Sequence, residues 1–410
     1  MRVIVLALLL GLVASCGEPA SPPNVLFVSI DTLRADRLGV YGYERPTTPN
    51  LDALAARGVL FDPVIAESSW TIPSHVTMLS GLSARSHGVE NPMLEIADET
   101  PMLAETLRDA GYRTFAITDG HWLSAEWGFD QGFGTFEAEP RQGLARIVQR
   151  AKERIDHAES RDEPWFAFLQ TYDTHCPYQA PEAYRRMFRS PDATPFPTDG
   201  LCGNPHFNSM ELDEGRRRHL VDLYDAGVRW VDDELGAFID WLDEKGYAED
   251  TLIVVTSDHG EELFEAGRIG HGTTLDPEVL RVPWILVAPD IEPRVVDGPV
   301  ALADITPTVL DLVNVDLPTN VDGRSWIPAL AGVPMNPRGA YSRVRWEANL
   351  ESWTTEDSHF VRELVTDPQP AKGLDDFLAQ PSAARLAAPE RPDLSSAEVE
   401  ALRAIGYLGD

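Results

Sequence analysis

The run Trp70-Thr71-Ile72-Pro73-Ser74-His75 places a hydroxyl just ahead of a proline that can open a helix. A helix starting near Pro73 would turn unpaired backbone N–H groups and the positive end of its dipole towards an anion held beside Thr71. Asp31 closes the apolar run 25–30, and the pair Asp258-His259 follows the apolar run 252–256. A carboxylate beside an imidazole at the end of a buried run offers hard and borderline donors to a divalent cation. Asp173, His175, His121 and His271 add groups that can carry protons near neutral pH or bind metal. A hydroxyl nucleophile, a cation and proton carriers are what transfer of a phosphoryl or sulfuryl group requires, because negative charge spreads over its oxygens as the ester bond breaks.

Those residues need a scaffold that brings separated strand ends together. Runs of strand character fall at 25–30, 113–118, 165–172, 252–256 and 282–287, and helical patterns fall near 48–58, 101–110, 141–158, 211–245 and 304–314. Thr48-Pro49, then Leu51, Leu54 and Ala55, then Gly58 read as cap, first-turn proline, buried face and stop. Alternation of this kind predicts an α/β fold with a mostly parallel central sheet covered by helices on both faces. Ligands of such sheets lie beyond the carboxyl ends of the strands, where Asp31, Asp173 and Asp258 stand. After about Gly332 the pattern changes to short extended runs at 341–346 and 359–365. They predict a small C-terminal antiparallel subdomain over 333–410, following a catalytic domain over 24–332. Within it the Pro-, Ala- and Asp-rich stretch 368–392 is expected to be mobile, and 394–407, with Ser396, Val399, Leu402 and Ile405, reads as a terminal amphipathic helix.

The stretches NVLFVSIDTLRADRLGVYGY from Asn24, TTPNLDALAARGVLF from Thr47 and TIPSHVTMLSG from Thr71 resemble the N-terminal half of the sulfatase family, within the alkaline-phosphatase superfamily. The resemblance implies that Asp31, Asp258, His259 and Thr71 are metal ligands and that Thr71 is the nucleophile. In that family an enzyme oxidises the cysteine or serine of a C/S-x-P-S-R run to formylglycine. Thr71 cannot follow, because its β-carbon carries a methyl group and oxidation would give a ketone. No formylglycine is therefore expected, and Thr71 would act as an ordinary alkoxide, as in the phosphodiesterase and phosphoethanolamine-transferase branches. Gly111-Tyr112-Arg113-Thr114 resembles the family's G-Y-x-T strand, which puts His121 at the histidine of K-W-H and Asp119 at its lysine. Gly270-His271-Gly272 stands where the family has G-H-K, and the segment around His175-Cys176-Pro177-Tyr178 resembles H-x-P-Y, whose histidine lies near the leaving group. Catalytic roles are thus implied for His121, His175 and His271, with Asp173, His175 and His271 as an alternative second metal site. Both sulfate-gripping lysines are replaced, and His75 takes the place of the motif's arginine. Thr32 after Asp31 removes an oxygen ligand that calcium-binding relatives present, which shifts the expected metal towards zinc or manganese.

The net charge of −32, from 66 acidic against 34 basic residues, argues against nucleic acid and anionic lipid headgroups as partners. Arg2 precedes the apolar or small run 3–13, which is too short to span a bilayer. Val13-Ala14-Ser15-Cys16 resembles a bacterial lipobox, so that 1–16 would be a leader ending in a lipidated Cys16 and 17–23 a tether; a plain signal peptide cut nearby is the other reading. On the first reading the protein is exported and lipid-anchored, periplasmic or cell-surface, with that lipid as its sole membrane contact. Export places Cys176 and Cys202 in an oxidising compartment, where a disulfide and two buried thiols are both compatible with the sequence.

These readings converge on an exported, metal-dependent hydrolase that cleaves phosphoric, phosphonic or sulfuric esters through a covalent threonyl ester. The missing lysines favour phosphate-type esters over sulfate, carried by a small molecule, a glycan or a lipid headgroup. A phosphoethanolamine-type headgroup transferase and a catalytically silent, glycan-binding surface lipoprotein are the alternatives. Presence of Asp31, Asp258, His259 and His271 together disfavours the last.

Overall fold

The computed structural model describes residues 22–363, apart from 92–93, 162, 200–210, 337 and 346–347. In chain order its strands are β1 (Asn24–Ile30), β2 (Val59–Ile65), β3 (Arg113–Thr118), β4 (Thr135–Ala138), β5 (Trp165–Thr171), β6 (Thr251–Thr256), β7 (Glu262–Leu263), β8 (Ile269–Gly270), β9 (Arg281–Val287) and β10 (Arg294–Ala301). Among the described residues a central sheet of eight strands has the order β10-β2-β9-β6-β1-β5-β3-β4, and β7 and β8 pair separately as a hairpin. β1 runs parallel to both β5 and β6, so that Ile30 lies opposite Thr171 and Ser29 opposite Thr256. That register brings the first residues past three neighbouring strands to one place, and it is why Asp31 and Asp258 can meet. β9 is antiparallel to both β6 and β2. The chain therefore leaves β6 and enters β9 at the same end of the sheet, without crossing a face.

β1 is buried along its whole length, as a central strand covered on both sides must be. Its residues alternate between two cores: Val25 and Phe27 face one, Leu26, Val28 and Ile30 the other. The first core holds α2 (Thr71–Ser80), α4 (Leu103–Asp109) and α9 (Ile305–Leu312); the second holds α1 (Pro49–Ala55), α5 (Leu144–Glu159) and α7 (Glu214–Lys245). Short helices α3 (Ala84–His87), α6 (Glu182–Phe188), α8 (Pro277–Leu280) and α10 (Ile327–Leu330) complete the body. The expected α/β architecture, with helices on both faces of a mostly parallel sheet, is what the chain adopts.

Three more strands, β11 (Ala340–Val344), β12 (Leu350–Thr354) and β13 (His359–Glu363), form the small antiparallel sheet expected near the C-terminus. It is fixed to the body where Arg343 N donates to Glu67 O at 2.7 Å and Ser342 Oγ donates to Ala66 O at 2.7 Å. The leader with Cys16, most of the 17–23 tether, Cys202, the 368–392 stretch and the 394–407 helix lie outside the described residues. No helix among the described residues is long and apolar enough to cross a membrane.

Candidate active site

Thr71 is the first residue of α2, two positions earlier than a helix opened by Pro73 would begin. Trp70 is extended (φ −147°, ψ 145°), so the chain turns into the helix at Thr71 itself, and all ten helical residues are buried. The first-turn amides of Thr71 and Ile72 have no intrahelical acceptor, whereas Pro73 has no N–H and Ser74 N donates to Trp70 O at 3.3 Å. Thr71 Oγ1 is 3.5 Å from Asp31 Oδ2 and 3.4 Å from His259 Nε2, at the long limit of hydrogen bonding.

Asp31, Asp258 and His259 are wholly buried, and their ligand atoms lie within 4.8 Å of one another. Asp258 Oδ1 accepts from the amides of Thr32 (3.2 Å) and His259 (2.9 Å). Its Oδ2 and Asp31 Oδ1 are buried with no hydrogen-bond partner. Burial and then the adjacent Asp258 carboxylate push the Asp31 pKa well above the usual carboxylate range. Two such groups cannot both ionise in a dry interior unless a cation compensates them. Orphaned carboxylate oxygens facing an imidazole nitrogen fit a divalent metal, which this group can hold.

His259 and three nearby histidines, His75 and His175 buried and His271 half-buried, share a common orientation. His259 Nδ1 donates to Gly260 O (2.9 Å), His175 Nδ1 to Cys176 O (2.6 Å), His75 Nδ1 to Thr71 O (2.8 Å) and His271 Nδ1 to Glu261 Oε1 (2.8 Å). These partners are acceptors, so each Nδ1 carries the proton and each Nε2 is the acceptor nitrogen. Burial lowers the pKa of His259, His175 and His271 to about 4 in each case. Burial thus favours the neutral form of these rings at neutral pH, and they first take up protons at Nε2. The rings of His175 and His271 are 5.0 Å apart, and those of His259 and His271 4.4 Å. His75 is likewise held neutral by burial, and its Nε2 accepts from Ser29 Oγ at 2.9 Å, so the position of the motif's arginine carries no charge.

Asp173 does not join His175 and His271 in a second metal group: Asp31, Asp258 and His259 are the group that assembles among the described residues. Asp173 Oδ2 instead accepts from Leu144 N at 2.7 Å, capping the first turn of α5. Asp119, at the family's lysine position, accepts from Tyr172 N, Gly143 N and the Thr171 hydroxyl at 2.8–3.0 Å. Gly272, at the second lysine position, has φ +84°, where a lysine would be strained. His121 reaches the neighbourhood of His175 through Tyr172, whose ring lies 5.9 Å from His121 and 5.7 Å from His175. Sequence reasoning overlooked Glu261, a fully buried carboxylate that fixes the tautomer of His271. An acid two residues after the candidate ligand His259 was the available signal. Cys176 is disulfide-bonded, and the chain's two other cysteines, Cys16 and Cys202, both lie outside the described residues.

A sequence model of the family described as Sulfatase matches residues 23–315. The chain is 25% identical over 405 residues to the "Uncharacterized sulfatase YidJ" of Escherichia coli (strain K12), covering 85% of this chain and 80% of that protein. A protein solved in complex with its substrate D-glucosamine-2-N,6-O-disulfate superposes with a TM-score of 0.72 at 18% identity, covering 85% and 90% of the two chains. The phosphonate monoester hydrolase of Agrobacterium radiobacter superposes with a TM-score of 0.67 at 22% identity, covering 87% and 93%.

Proposed function

Because this chain belongs to the sulfatase family of ester hydrolases, we propose that it is a metal-dependent hydrolase that cleaves phosphoric or phosphonic esters in preference to sulfuric ones, through a covalent ester on Thr71. The observation that carries the reading is Thr71 Oγ1 at the start of α2, within 3.5 Å of both Asp31 and His259. Asp31, Asp258 and His259 would hold the metal, zinc or manganese before calcium, which when bound supplies positive charge to the hydroxyl and to the transferred anion. Thr71 Oγ1 bonds to phosphorus or sulfur, its proton passes to a neighbouring base, and the alcohol oxygen of the substrate leaves. The amides of the first turn of α2 stabilise the charge that develops on the remaining oxygens. Water then attacks the threonyl ester, with Nε2 of His175 or His271 taking its proton, and frees Thr71 and the inorganic product.

The preference for phosphate-type esters rests on three positions where the pocket carries no fixed cation: Asp119, Gly272 and His75. Aryl phosphate, bis-aryl phosphate, aryl phosphonate and aryl sulfate, offered to metal-loaded protein, are expected to be cleaved with the sulfate slowest. Fastest turnover of the sulfate would overturn the preference, and no turnover of any ester would overturn the hydrolase reading.

For location, we infer that Cys16 carries a lipid and anchors the exported protein to a bacterial membrane, with support from the sequence pattern 13–16 alone. Cys16→Ser is expected to move the protein from the membrane to the soluble exported fraction. Unchanged fractionation, or a mature N-terminus other than Cys16, would refute the anchor.

A further inference from the structure

A cleft of about 250 Å³ opens beside His175, and part of its wall has no place in the chemistry above. Tyr172 and Trp230 supply aromatic sides, the latter from α7, where it packs against the cluster of Ala180, Phe188 and Ala226. Arg141 and His121 line the same cleft. Many arginines elsewhere lean on carboxylates, as Arg45 does on Asp225 and Arg150 on Glu139, while the exposed Arg161 and Arg189 have no such partner among the described residues and line no cleft with an unsatisfied imidazole. Arg141 has no ion pair and no side-chain hydrogen bond among the described residues. Its backbone is left-handed (φ 54°), and its amide donates to Asp119 O at 3.3 Å, so a fixed turn presents the side chain. His121 is also left-handed (φ 51°), and its Nε2 is buried without a hydrogen-bond partner. Non-glycine residues in that region of backbone space concentrate where function holds them.

Two carboxylates share the cleft, and neither forms an ion pair with Arg141. Asp119 is taken by two amides and a hydroxyl, and Asp173 by the amide of Leu144. Burial also pushes the Asp173 pKa up to about 7, so it carries only part of its charge at neutral pH. An exposed guanidinium with no ion-pair partner, lining the same cleft as an unsatisfied imidazole nitrogen, is suited to a carboxylate, sulfate or phosphate group. Pockets for drug-sized molecules begin at roughly 300 Å³, so this cleft admits one ring rather than a chain of them.

We propose that this cleft receives the alcohol portion of the substrate, a single aromatic or sugar ring with an anionic substituent of its own, which Arg141 grips with His121 at its side. The proposal rests on the ester-hydrolase reading, because it takes the group released from the ester as the occupant. Product-like phenols test it without turnover. In calorimetric titrations, 4-hydroxybenzoate or 4-hydroxybenzenesulfonate should bind roughly tenfold or more tightly than neutral 4-hydroxybenzamide, the scale of one charge-assisted hydrogen bond. Arg141→Asn, chosen because asparagine tolerates the left-handed backbone, should erase that advantage. Equal binding of the anions and the amide, tighter binding of cationic tyramine, or an advantage that survives Arg141→Asn would overturn it. Anion preference without cleavage of any ester would instead mean that the hydrolase reading fails while Arg141 is still an anion contact.

Discussion

Thr71→Ala is expected to lower turnover by at least about a thousandfold, the scale on which loss of a covalent nucleophile acts. Thr71→Ser, which keeps the hydroxyl and removes one methyl, should retain a measurable part of the rate. Both variants should fold, since Thr71 provides no cap and the α2 core of Ile72, Val76, Met78 and Leu79 is untouched. Intact mass spectrometry of the wild-type protein should show no mass change of the formylglycine type. A wild-type rate in Thr71→Ala would end the covalent mechanism and leave direct attack by water, with His175 or His271 as its base. Thr71→Cys, produced together with a formylglycine-generating enzyme, is a sharper comparison. Strong sulfatase activity gained by that variant would show that the pocket itself accepts sulfate.

Asp258→Asn and His259→Ala should each weaken metal binding by at least about tenfold, the lower end of what even indirect partners of a metal contribute, and should remove activity with it. Stability should respond in the opposite direction. In metal-free protein, Asp258→Asn relieves the opposition of two buried carboxylates, so its melting temperature should equal or exceed that of metal-free wild type. Added metal should then stabilise wild type and leave the variant nearly unchanged. Zinc or manganese is expected to restore chelated wild-type protein better than calcium. Undiminished metal content in both variants would remove Asp31, Asp258 and His259 from the role given to them.

The positions of the candidate site residues were legible because each follows or opens a local pattern: Asp31 after β1, Asp258-His259 after β6, and Thr71 two residues ahead of Pro73 at the start of α2. β2 and β10 were not legible, since Asp62-Pro63 and Asp297-Gly298-Pro299 interrupt their apolar runs, and the pairing register shifts there. β4 is an edge strand of four half-buried residues, with no core pattern to show. The position of Asp173 was read correctly and its use was not. The amide it accepts belongs to Leu144, 29 residues earlier, and a cap supplied from that far cannot be seen in the order of residues. The same holds for the tautomers of His175 and His271, which are set by a carbonyl and a carboxylate at Nδ1. That Arg141 escapes its acidic surroundings is a fact of placement, which no count of charges contains.

Reversal of the single strand β9 has an evolutionary corollary. The excursion over residues 257–280 departs from β6 and rejoins the sheet at β9, two hydrogen-bonded neighbours about 4.8 Å apart. Asp258, His259, Glu261 and His271 are all borne on it. With its two ends stapled side by side, this excursion behaves as an exchangeable cassette. The stretch between Glu262 and Gly270, closed by the β7–β8 hairpin, can lengthen or shorten without shifting the register of any central strand, while Asp258 and His259 stay fixed at the end of β6.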